Sequence, residues 1–413
     1  MRLRGLSAAV AVAALAITGA AAAQAARPAH APERGSAAAS VQGSHEVRIA
    51  TYNASLNRGT EGDLVRDLST PDDEQARNIA EVVQTTRPEI LLINEFDFDA
   101  AGEGARLFQE NYLSVGQDPI HYPYRYTAPV NTGVPSGLDL DQSGTVGGPN
   151  DARGFGLFPG QYGMVIYSQH PILEDRIRTF QDFRWVDMPG NVMPEDYYTP
   201  EQEEQLRLSS KSHWDVPVEV NGKTVHLLAA HPTPPSFDGP EKRNQRRNHD
   251  EIRLWADYIT GGRTAAYLYD DEGVRGGLPR GERFVVLGDY NADPVDGDSW
   301  AGAVDLLLEH SRIRDPKPSS AGAAEASALQ GGANLQHEGD PRYDTADFND
   351  RPALGNLRVD LALPSKNLPL LDAGVFWPAQ GEPGSELTGS YPFPTSDHRL
   401  VWVDVKVAGN PRR

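Results

Sequence analysis

Residues 283–291 read RFVVLGDYN, and this stretch carries the pattern that decides the fold. A short β-branched and apolar run ends in polar Asp289 and Asn291, as a buried strand does where it meets a loop. Six similar runs are VRIATYN (47–53), EILLINEF (89–96), GMVIYS (163–168), TVHLLAAH (224–231), LRVDLALP (357–364) and HRLVWVDV (398–405).

Helical periodicity falls between some of these runs, at 73–86 and 241–259. The alternation of strands and helices predicts one α/β domain over residues 45–408, followed by a short tail at 409–413. Long loops rich in Gly, Pro and Asp are predicted at about 97–160, 181–213, 260–282 and 315–350. Loops of this length in a compact domain usually serve a function.

Charge and cysteine content limit the partners and the chemistry. The 413 residues include 38 Lys and Arg against 58 Asp and Glu, a formal net charge of −20, and no Cys. An acidic surface repels a polyanion, so a long nucleic-acid duplex is a disfavoured partner. Without Cys, disulfides and thiol nucleophiles are excluded, and a metal must be held by oxygen and nitrogen ligands. A monomer is expected.

The first 25 residues have the layout of a secretory signal peptide. Arg2 and Arg4 precede an apolar stretch, and small residues crowd the region before Ala26. The alternative is an N-terminal membrane anchor, but glycine and alanine dilute the apolar run. The sequence therefore predicts export without stable membrane insertion, with a disordered leader over residues 26–44.

Polar side chains stand at the ends of the predicted strands. Strands are apolar because they are buried, so polar residues at one end after another are expected to converge on a shared site at the sheet edge. Carboxylate and amide oxygens form a shell suited to Mg²⁺, Mn²⁺ or Ca²⁺. The residues concerned are Asn53, Glu95, His231, Asp289, Asn291, Asp360, Asp397 and His398.

This composition indicates phosphoester hydrolysis. A hard divalent ion neutralises charge on phosphoryl oxygens, and nearby histidines serve in acid and base steps. The chain has no Cys and no GxSxG segment, which argues against covalent thiol or serine chemistry.

Seven segments in sequence order resemble the endonuclease/exonuclease/phosphatase superfamily, which includes pancreatic-type deoxyribonucleases, abasic-site endonucleases, neutral sphingomyelinases and inositol-polyphosphate phosphatases. The segments are TYN, INEF, GMVIYS, AAHPTPP, GDYNADP, RVDLALPS and SDHRLV. The resemblance implies a four-layer α/β sandwich, in which two mostly antiparallel β-sheets pack face to face with helices on the outside. It also implies a divalent-metal phosphoesterase site at the sheet ends.

The resemblance further implies roles for the metal and nucleophile residues. Glu95 corresponds to the principal metal carboxylate, with Asn53 and Asp397 close by. Asp289 and Asn291 resemble the pair that orients the nucleophile and holds the phosphate.

Roles for the histidines are implied in the same way. His398 is either the general base or a contact to the scissile phosphate, and Asp360 orients it. His231 donates a hydrogen bond or proton toward the phosphate or the leaving oxygen. Tyr162 stands where some members place a catalytic aromatic or acidic residue.

Several cations are candidates for substrate binding: Arg58, Lys211, His213 and Arg247, the last in a cluster with Arg243 and Arg246. The alternative for this cluster is a solvated helix face or pairing with Asp250 and Glu251. The segment DTADF (344–348) lies in a long loop that the sequence does not place.

The function hypothesis is a secreted, metal-dependent phosphoesterase that hydrolyses small or short phosphate esters. An extracellular non-specific endonuclease is the main alternative, and it requires a local cationic groove. A phospholipid phosphodiesterase is a further alternative, although the sequence shows no amphipathic hairpin for membrane docking. A non-catalytic surface binding protein on the same fold is the alternative from a different class.

Overall fold

The structure, a computed structural model, describes residues 44–349 and 354–409. The predicted signal peptide (1–25), residues 26–43 of the predicted leader and residues 410–413 of the predicted tail lie outside these ranges. None of the helices in the described ranges combines the length and the apolar character that crossing a membrane requires.

Strands account for both layers at the centre of the molecule. A six-stranded sheet has the order β12-β13-β1-β2-β4-β3, and a five-stranded sheet has the order β11-β8-β7-β6-β5. The described strands are β1 His45–Asn53, β2 Ile90–Asn94, β3 Tyr124–Tyr126, β4 Met164–Ser168, β5 Arg178–Thr179, β6 His213–Val220, β7 Lys223–Ala230, β8 Arg283–Asp289, β9 Ala346–Asp347, β10 Asn356–Leu357, β11 Asp360–Pro364, β12 Leu370–Val375 and β13 Val401–Val407.

Helices cover the outer faces of the two sheets. The described α-helices are α1 Asp63–Leu68, α2 Glu74–Thr86, α3 Glu103–Phe108, α4 Pro200–Gln205, α5 Arg243–Thr260, α6 Asp305–Leu308, α7 Ala321–Gln330 and α8 Ser385–Thr388. Asp73 caps α2 by accepting a hydrogen bond from the Ala76 N–H, which satisfies a donor that the first turn leaves free. A π-helical turn at Gln109–Leu113 continues α3.

Three buried apolar clusters show how the layers pack. The inner faces of the two sheets share one cluster, in which Ile49 and Val403 of the first sheet join Leu227 and Val285 of the second. A second cluster joins the first sheet to α1, α2 and α3, and a third joins the second sheet to α5. The predicted four-layer α/β sandwich is therefore confirmed.

Strand direction brings the predicted site residues to one edge. The β1–β2 pair is parallel, and its register sets Asn53 beside Asn94. The β7–β8 pair is also parallel, whereas β11 runs antiparallel to β8, so that Asp360 pairs with Asp289. Because parallel strands end at the same edge and an antiparallel neighbour begins there, polar residues far apart in sequence meet.

The structure contains elements in stretches that the sequence predicts as loops. The 97–160 stretch includes α3, the π-helical turn and β3, and the 315–350 stretch includes α7. The prediction for 181–213 is wrong over α4 and at its last residue, since His213 begins β6.

Candidate active site

Asp289, the last residue of β8, lies at the centre of the predicted site. Its Oδ2 accepts a hydrogen bond from Asn53 Nδ2 at 3.0 Å and lies 3.3 Å from His231 Nε2. His398 Nε2 is 3.6 Å from the same oxygen. Burial opposes ionisation, but the two histidines hold the pKa of Asp289 well below its usual value. Asp289 is therefore a buried, ionised carboxylate.

Glu95 extends the site into the first sheet. Asn53 Nδ2 donates to Glu95 Oε1 at 3.1 Å, and Asn57 Nδ2 donates to Glu95 Oε2 at 2.8 Å. The Asn53 amide thus bridges the two acidic residues, while its oxygen accepts a hydrogen bond from the Ser55 N–H. In this arrangement Asn53 positions the carboxylates of Glu95 and Asp289 through its amide nitrogen.

His398 stands between two acidic residues. Its Nδ1 donates to Asp360 Oδ2 at 2.9 Å, and Thr345 Oγ1 donates to the same oxygen at 2.9 Å. Burial opposes the charge, but Asp360 and Asp289 hold the pKa of His398 well above its usual value. The imidazole is therefore fixed by Asp360, and Nε2 faces Asp289.

His231 and Asn291 complete the cluster. Burial, with Lys211 nearby, lowers the pKa of His231, so its imidazole is neutral. Its Nδ1 is buried and has no hydrogen-bond partner among the described residues. Asn291 donates its N–H to Asp289 Oδ1 at 2.9 Å and its amide to the Pro232 carbonyl at 3.2 Å.

Among the residues with a left-handed backbone are Glu95 and Asn291. Glu95 has a φ of 59° and Asn291 a φ of 51°. Side chains other than glycine adopt this region rarely, at a cost of about 1–3 kcal/mol for a residue held there, and such residues concentrate at functional sites. Glu95 directly follows β2, and Asn291 follows the end of β8 by two positions. The left-handed backbone directs each of these side chains into the site.

The cluster opens into an acidic cavity of about 680 Å³. Six carboxylates line it: Glu95, Asp289, Asp293, Asp296, Asp298 and Asp397. None of the lining residues that the structure describes is Lys or Arg. A set of carboxylate oxygens that outnumbers the single imidazole of His398 fits a hard divalent cation such as Mg²⁺, Mn²⁺ or Ca²⁺.

A cationic cavity of about 450 Å³ adjoins the acidic one, and Glu95, Pro234 and Phe237 line both. It is lined by Lys211, Arg243 and Arg247, by the aromatic residues Phe155, Tyr162, Trp185 and Tyr198, and by one carboxylate, that of Glu95. Lys211 is 6% exposed, and its ammonium makes no hydrogen bond or ion pair within the described part of the chain. Burial lowers the pKa of Lys211.

Asp397 and Tyr162 line the cavities and, within the described residues, make no hydrogen bond to Asp289. Asp397 lines the acidic cavity, and its Oδ1 accepts a hydrogen bond from Ser396 at 3.4 Å. Tyr162 lines the cationic cavity beside Glu95, and its N–H donates to Asp97 Oδ1 at 3.1 Å. Within residues 44–349 and 354–409, the Tyr162 hydroxyl makes no hydrogen bond to the cluster.

Of the four residues predicted to bind substrate, Lys211 and Arg247 line the cationic cavity, and Arg58 and His213 do not. Arg58 pairs with Asp67 at 2.8 Å and with Asp73 at 3.2 Å. Arg247 lines the cavity, but it already donates to three backbone carbonyls, those of Leu208, Arg153 and Arg207.

His213 is buried in β6, away from both cavities. Its Nδ1 bonds Ser209 Oγ at 2.6 Å, and its Nε2 bonds the Glu251 carbonyl at 2.9 Å. Its side chain is packed edge-on against Trp255. The structure therefore gives His213 a place in the core instead of the substrate-binding position predicted for it.

The burial of His213 predicts a loss of stability in acid. Burial lowers the pKa of His213 to about 4, so between about pH 6.5 and pH 4 the unfolded chain binds a proton that the folded protein does not. The contribution of His213 to the free energy of unfolding is fully present above pH 6.5 and falls by about 3 kcal/mol between pH 6.5 and pH 4. The free energy of unfolding, measured with urea at several pH values in this range, should fall less steeply with decreasing pH for His213→Gln than for the wild type. Equal slopes would contradict the assignment.

Sequence analysis missed four side chains that hold the site. Asn57 bonds Glu95, and the Asn94 amide oxygen accepts the Asp289 N–H at 3.2 Å. Thr345 bonds Asp360, and Asp97 accepts the N–H groups of both Arg58 and Tyr162. Asp97 follows Glu95 by two positions in INEFDFD, which was an available signal. Thr345 lies in the DTADF segment, which the structure brings to the site through an isolated bridge of Ala346 with His398.

Comparison with known proteins agrees with this geometry. The sequence pattern of the Endonuclease/Exonuclease/phosphatase family matches residues 50–398, well over half of the chain. The chain therefore belongs to this family, whose members are hydrolases that act on phosphoester bonds. The resemblance noted in the sequence is confirmed.

Solved structures give low-identity matches over most of the chain. An endonuclease/exonuclease/phosphatase from Beutenbergia cavernae is 19% identical, over 89% of this chain and 73% of that one, with a TM-score of 0.48. Sphingomyelinase C from Streptomyces griseocarneus is 14% identical, over 89% and 100%, with a TM-score of 0.44. Truncated TDP2 from Caenorhabditis elegans is 14% identical, over 88% and 98%, with a TM-score of 0.42. No curated protein matches by sequence.

Proposed function

We propose that this protein is a secreted, divalent-metal-dependent phosphoesterase that hydrolyses small or short phosphate esters. The observation that carries the proposal is the contact of His231 and His398 with the buried Asp289 carboxylate, at the wall of a cavity lined by six carboxylates. Acidic oxygens beside two histidines serve phosphoester hydrolysis with a metal ion.

The donor set identifies residues that would hold the ion. Glu95 and Asp397 offer carboxylate oxygens to the acidic cavity, and Asn53 and Asn57 hold the Glu95 carboxylate in place through both of its oxygens. A divalent ion bound there would offset negative charge on the phosphoryl oxygens.

The remaining roles belong to the side chains around Asp289. We assign Asp289 to accept a proton from the attacking water, which Asn291 orients. His398 holds a proton at Nε2 between two carboxylates, so it is placed to donate a hydrogen bond to a phosphoryl oxygen. Water then adds to phosphorus and the ester P–O bond breaks. The leaving oxygen takes up the proton that Asp289 removed from the water, and His231, 3.3 Å from Asp289, relays it.

The cationic cavity indicates the form of the substrate. A phosphoester whose phosphoryl group sits in the acidic cavity extends past Glu95 into a space lined by aromatic residues and by Lys211. An unpaired, buried ammonium favours an anionic group there, since a charge-assisted hydrogen bond would relieve its desolvation. We therefore favour an ester of an aromatic or apolar alcohol that carries a second negative charge.

The structure offers little to the endonuclease alternative. Two of the cations that a groove would need are committed within the fold, because Arg58 pairs with Asp67 and Asp73, and Arg246 donates to the carbonyls of Glu241 and Val192. Lys211 is unpaired among the described residues but buried, so it is not placed to bind an extended backbone. A nucleic-acid backbone is bound by cations that are free to pair with phosphates.

A phospholipid phosphodiesterase is the second candidate, favoured by exposed apolar side chains at the rim. Phe237 is 92% exposed and Phe155 is 53% exposed, and both line the cationic cavity. Against a choline headgroup, the cavity carries Lys211 and Arg243, which repel a quaternary ammonium.

The test is hydrolysis by the purified full chain of a phosphate monoester, a phosphodiester, plasmid DNA and sphingomyelin vesicles, with Mg²⁺, Mn²⁺, Ca²⁺ or chelator. We expect metal-dependent cleavage of a small ester that chelator abolishes, with DNA intact. An aryl ester bearing a carboxylate should exceed its neutral analogue in kcat/KM by about tenfold, as one charge-assisted hydrogen bond allows.

Each other outcome points to one of the alternatives. Nicking of DNA would favour the endonuclease, and preferred cleavage of sphingomyelin would favour the phospholipid phosphodiesterase. Failure to cleave any substrate with any ion would favour the non-catalytic binding protein. Export is tested separately, by mass spectrometry of the protein from culture medium, where an N-terminus near Ala26 is expected.

A further inference from the structure

A cluster of two histidines and one glutamate lies at the opposite end of the first sheet from the candidate active site. His45 begins β1, Glu89 directly precedes β2, and His170 follows β4 by two positions. His45 and Asn53 are eight positions apart along β1, a span of about 26 Å. The cluster is therefore separate from the cavities described above.

The three side chains meet at one oxygen. His45 Nε2 is 2.7 Å from Glu89 Oε2, and His170 Nε2 is 2.8 Å from the same atom. The two imidazole rings meet edge to face, with centroids 5.3 Å apart. Two nitrogens and one carboxylate oxygen all lie within 4.8 Å of one another.

The backbone holds these residues in place. The Glu89 N–H donates to the Arg48 carbonyl at 2.9 Å, and the Gln169 N–H donates to the Glu89 carbonyl at 2.8 Å. The His170 N–H donates to Ser168 Oγ at 2.9 Å. Because three strand ends supply the three groups, little ordering remains for a ligand to impose.

The cluster is open to solvent. Among the described residues, no Lys or Arg pairs with Glu89. The His45 side chain is 44% exposed, which gives an ion a route of entry.

We propose that His45, Glu89 and His170 form a binding site for a transition-metal ion of the Zn²⁺ type, with water completing the coordination. Two imidazole nitrogens and one carboxylate suit Zn²⁺, whereas Mg²⁺ and Ca²⁺ prefer oxygen ligands throughout. The donor set thus differs from that of the acidic cavity. A bound ion ties together β1, β2 and β4 and stabilises a chain that has no disulfides.

The test is calorimetric titration of the full chain with Zn²⁺ in the presence of excess Mg²⁺, paired with thermal unfolding. Glu89→Gln and His45→Ala each remove one ligand, and Glu95→Gln is the matched control at the active site. In Glu89→Gln and His45→Ala we expect the affinity for one equivalent of Zn²⁺ to fall by more than roughly 10- to 100-fold, which is the loss caused by removing a residue that only hydrogen-bonds to a metal ligand. The control, Glu95→Gln, should bind that equivalent of Zn²⁺ with the affinity of the wild type.

Zinc should also raise the melting temperature of the wild type and of Glu95→Gln, and not that of the two cluster variants. His45→Ala guards against misfolding, since the residue is exposed at the first position of β1. Identical zinc stoichiometry and identical zinc-dependent melting in all four proteins would overturn the proposal and leave a hydrogen-bonded cluster only. Neither result depends on whether the protein hydrolyses phosphoesters.

Discussion

Replacing Asp289 with asparagine is expected to lower kcat by about a thousandfold or more, the size of effect produced by loss of an essential proton acceptor. Asp289 Oδ2 accepts from Asn53 Nδ2 and faces Nε2 of both His231 and His398. Asparagine keeps the shape but removes the charge. The Oδ1 of the new asparagine must still accept the hydrogen bond from the Asn291 N–H. Its amide nitrogen therefore takes the place of Asp289 Oδ2 and faces the Asn53 amide, which is itself a donor.

Asp298→Asn is the matched control, because it removes one negative charge from the same cavity. The Asp298 carboxylate makes no hydrogen bond within the described residues, so its loss leaves the cluster intact. Measurement of kcat and KM under saturating metal, with circular dichroism to confirm folding, separates the two variants. A folded Asp289→Asn enzyme with the kcat of Asp298→Asn would show that Asp289 does not take part in the reaction.

The strands that border the site were predictable because they are buried on both sides. All five residues of β2 are buried, and such strands read as continuous apolar runs between turn residues. β6 was not predicted, since HWDVPVEV contains buried His213 and Asp215 and also Pro217. Its polar groups are satisfied by partners distant in sequence, such as Tyr258, which donates to Asp215 at 2.6 Å. Local patterns do not reveal such partners.

The meeting of the polar residues at the sheet edge could be predicted from the direction of the strands. The contacts that hold these residues in place could not. Asp360 pairs with Asp289 in the β11–β8 register, so both could be placed from their strands. Thr345 reaches Asp360 from a loop whose path depends on tertiary packing. The charge of Arg58 suggested substrate binding, but only its contacts with Asp67 and Asp73 show that it is already paired. The type and order of the residues thus predicted which polar side chains meet at the sheet edge better than they predicted the side chains that hold them there.

Replacing His398 with alanine is expected to lower kcat by roughly 10²- to 10⁴-fold, the usual contribution of a positioned acid or base. Asp360→Asn should cost less, about 10- to 100-fold, because Asp360 acts on the substrate through the imidazole that it orients. Since one residue works through the other, the double variant should be no slower than His398→Ala alone. The contact that supports this is the 2.9 Å bond from His398 Nδ1 to Asp360 Oδ2.

His226 provides a matched control, because it forms a similar buried pair with Asp215 at 2.7 Å in the β6–β7 hairpin. His226→Ala removes a buried imidazole beside a carboxylate but lines neither cavity, so its kcat should match that of the wild type. The decisive measurement is kcat for both single variants, the double variant and the control under one metal condition. If the losses from His398→Ala and Asp360→Asn multiply in the double variant, Asp360 acts independently of His398, since a residue that only orients an imidazole has no effect once that imidazole is gone.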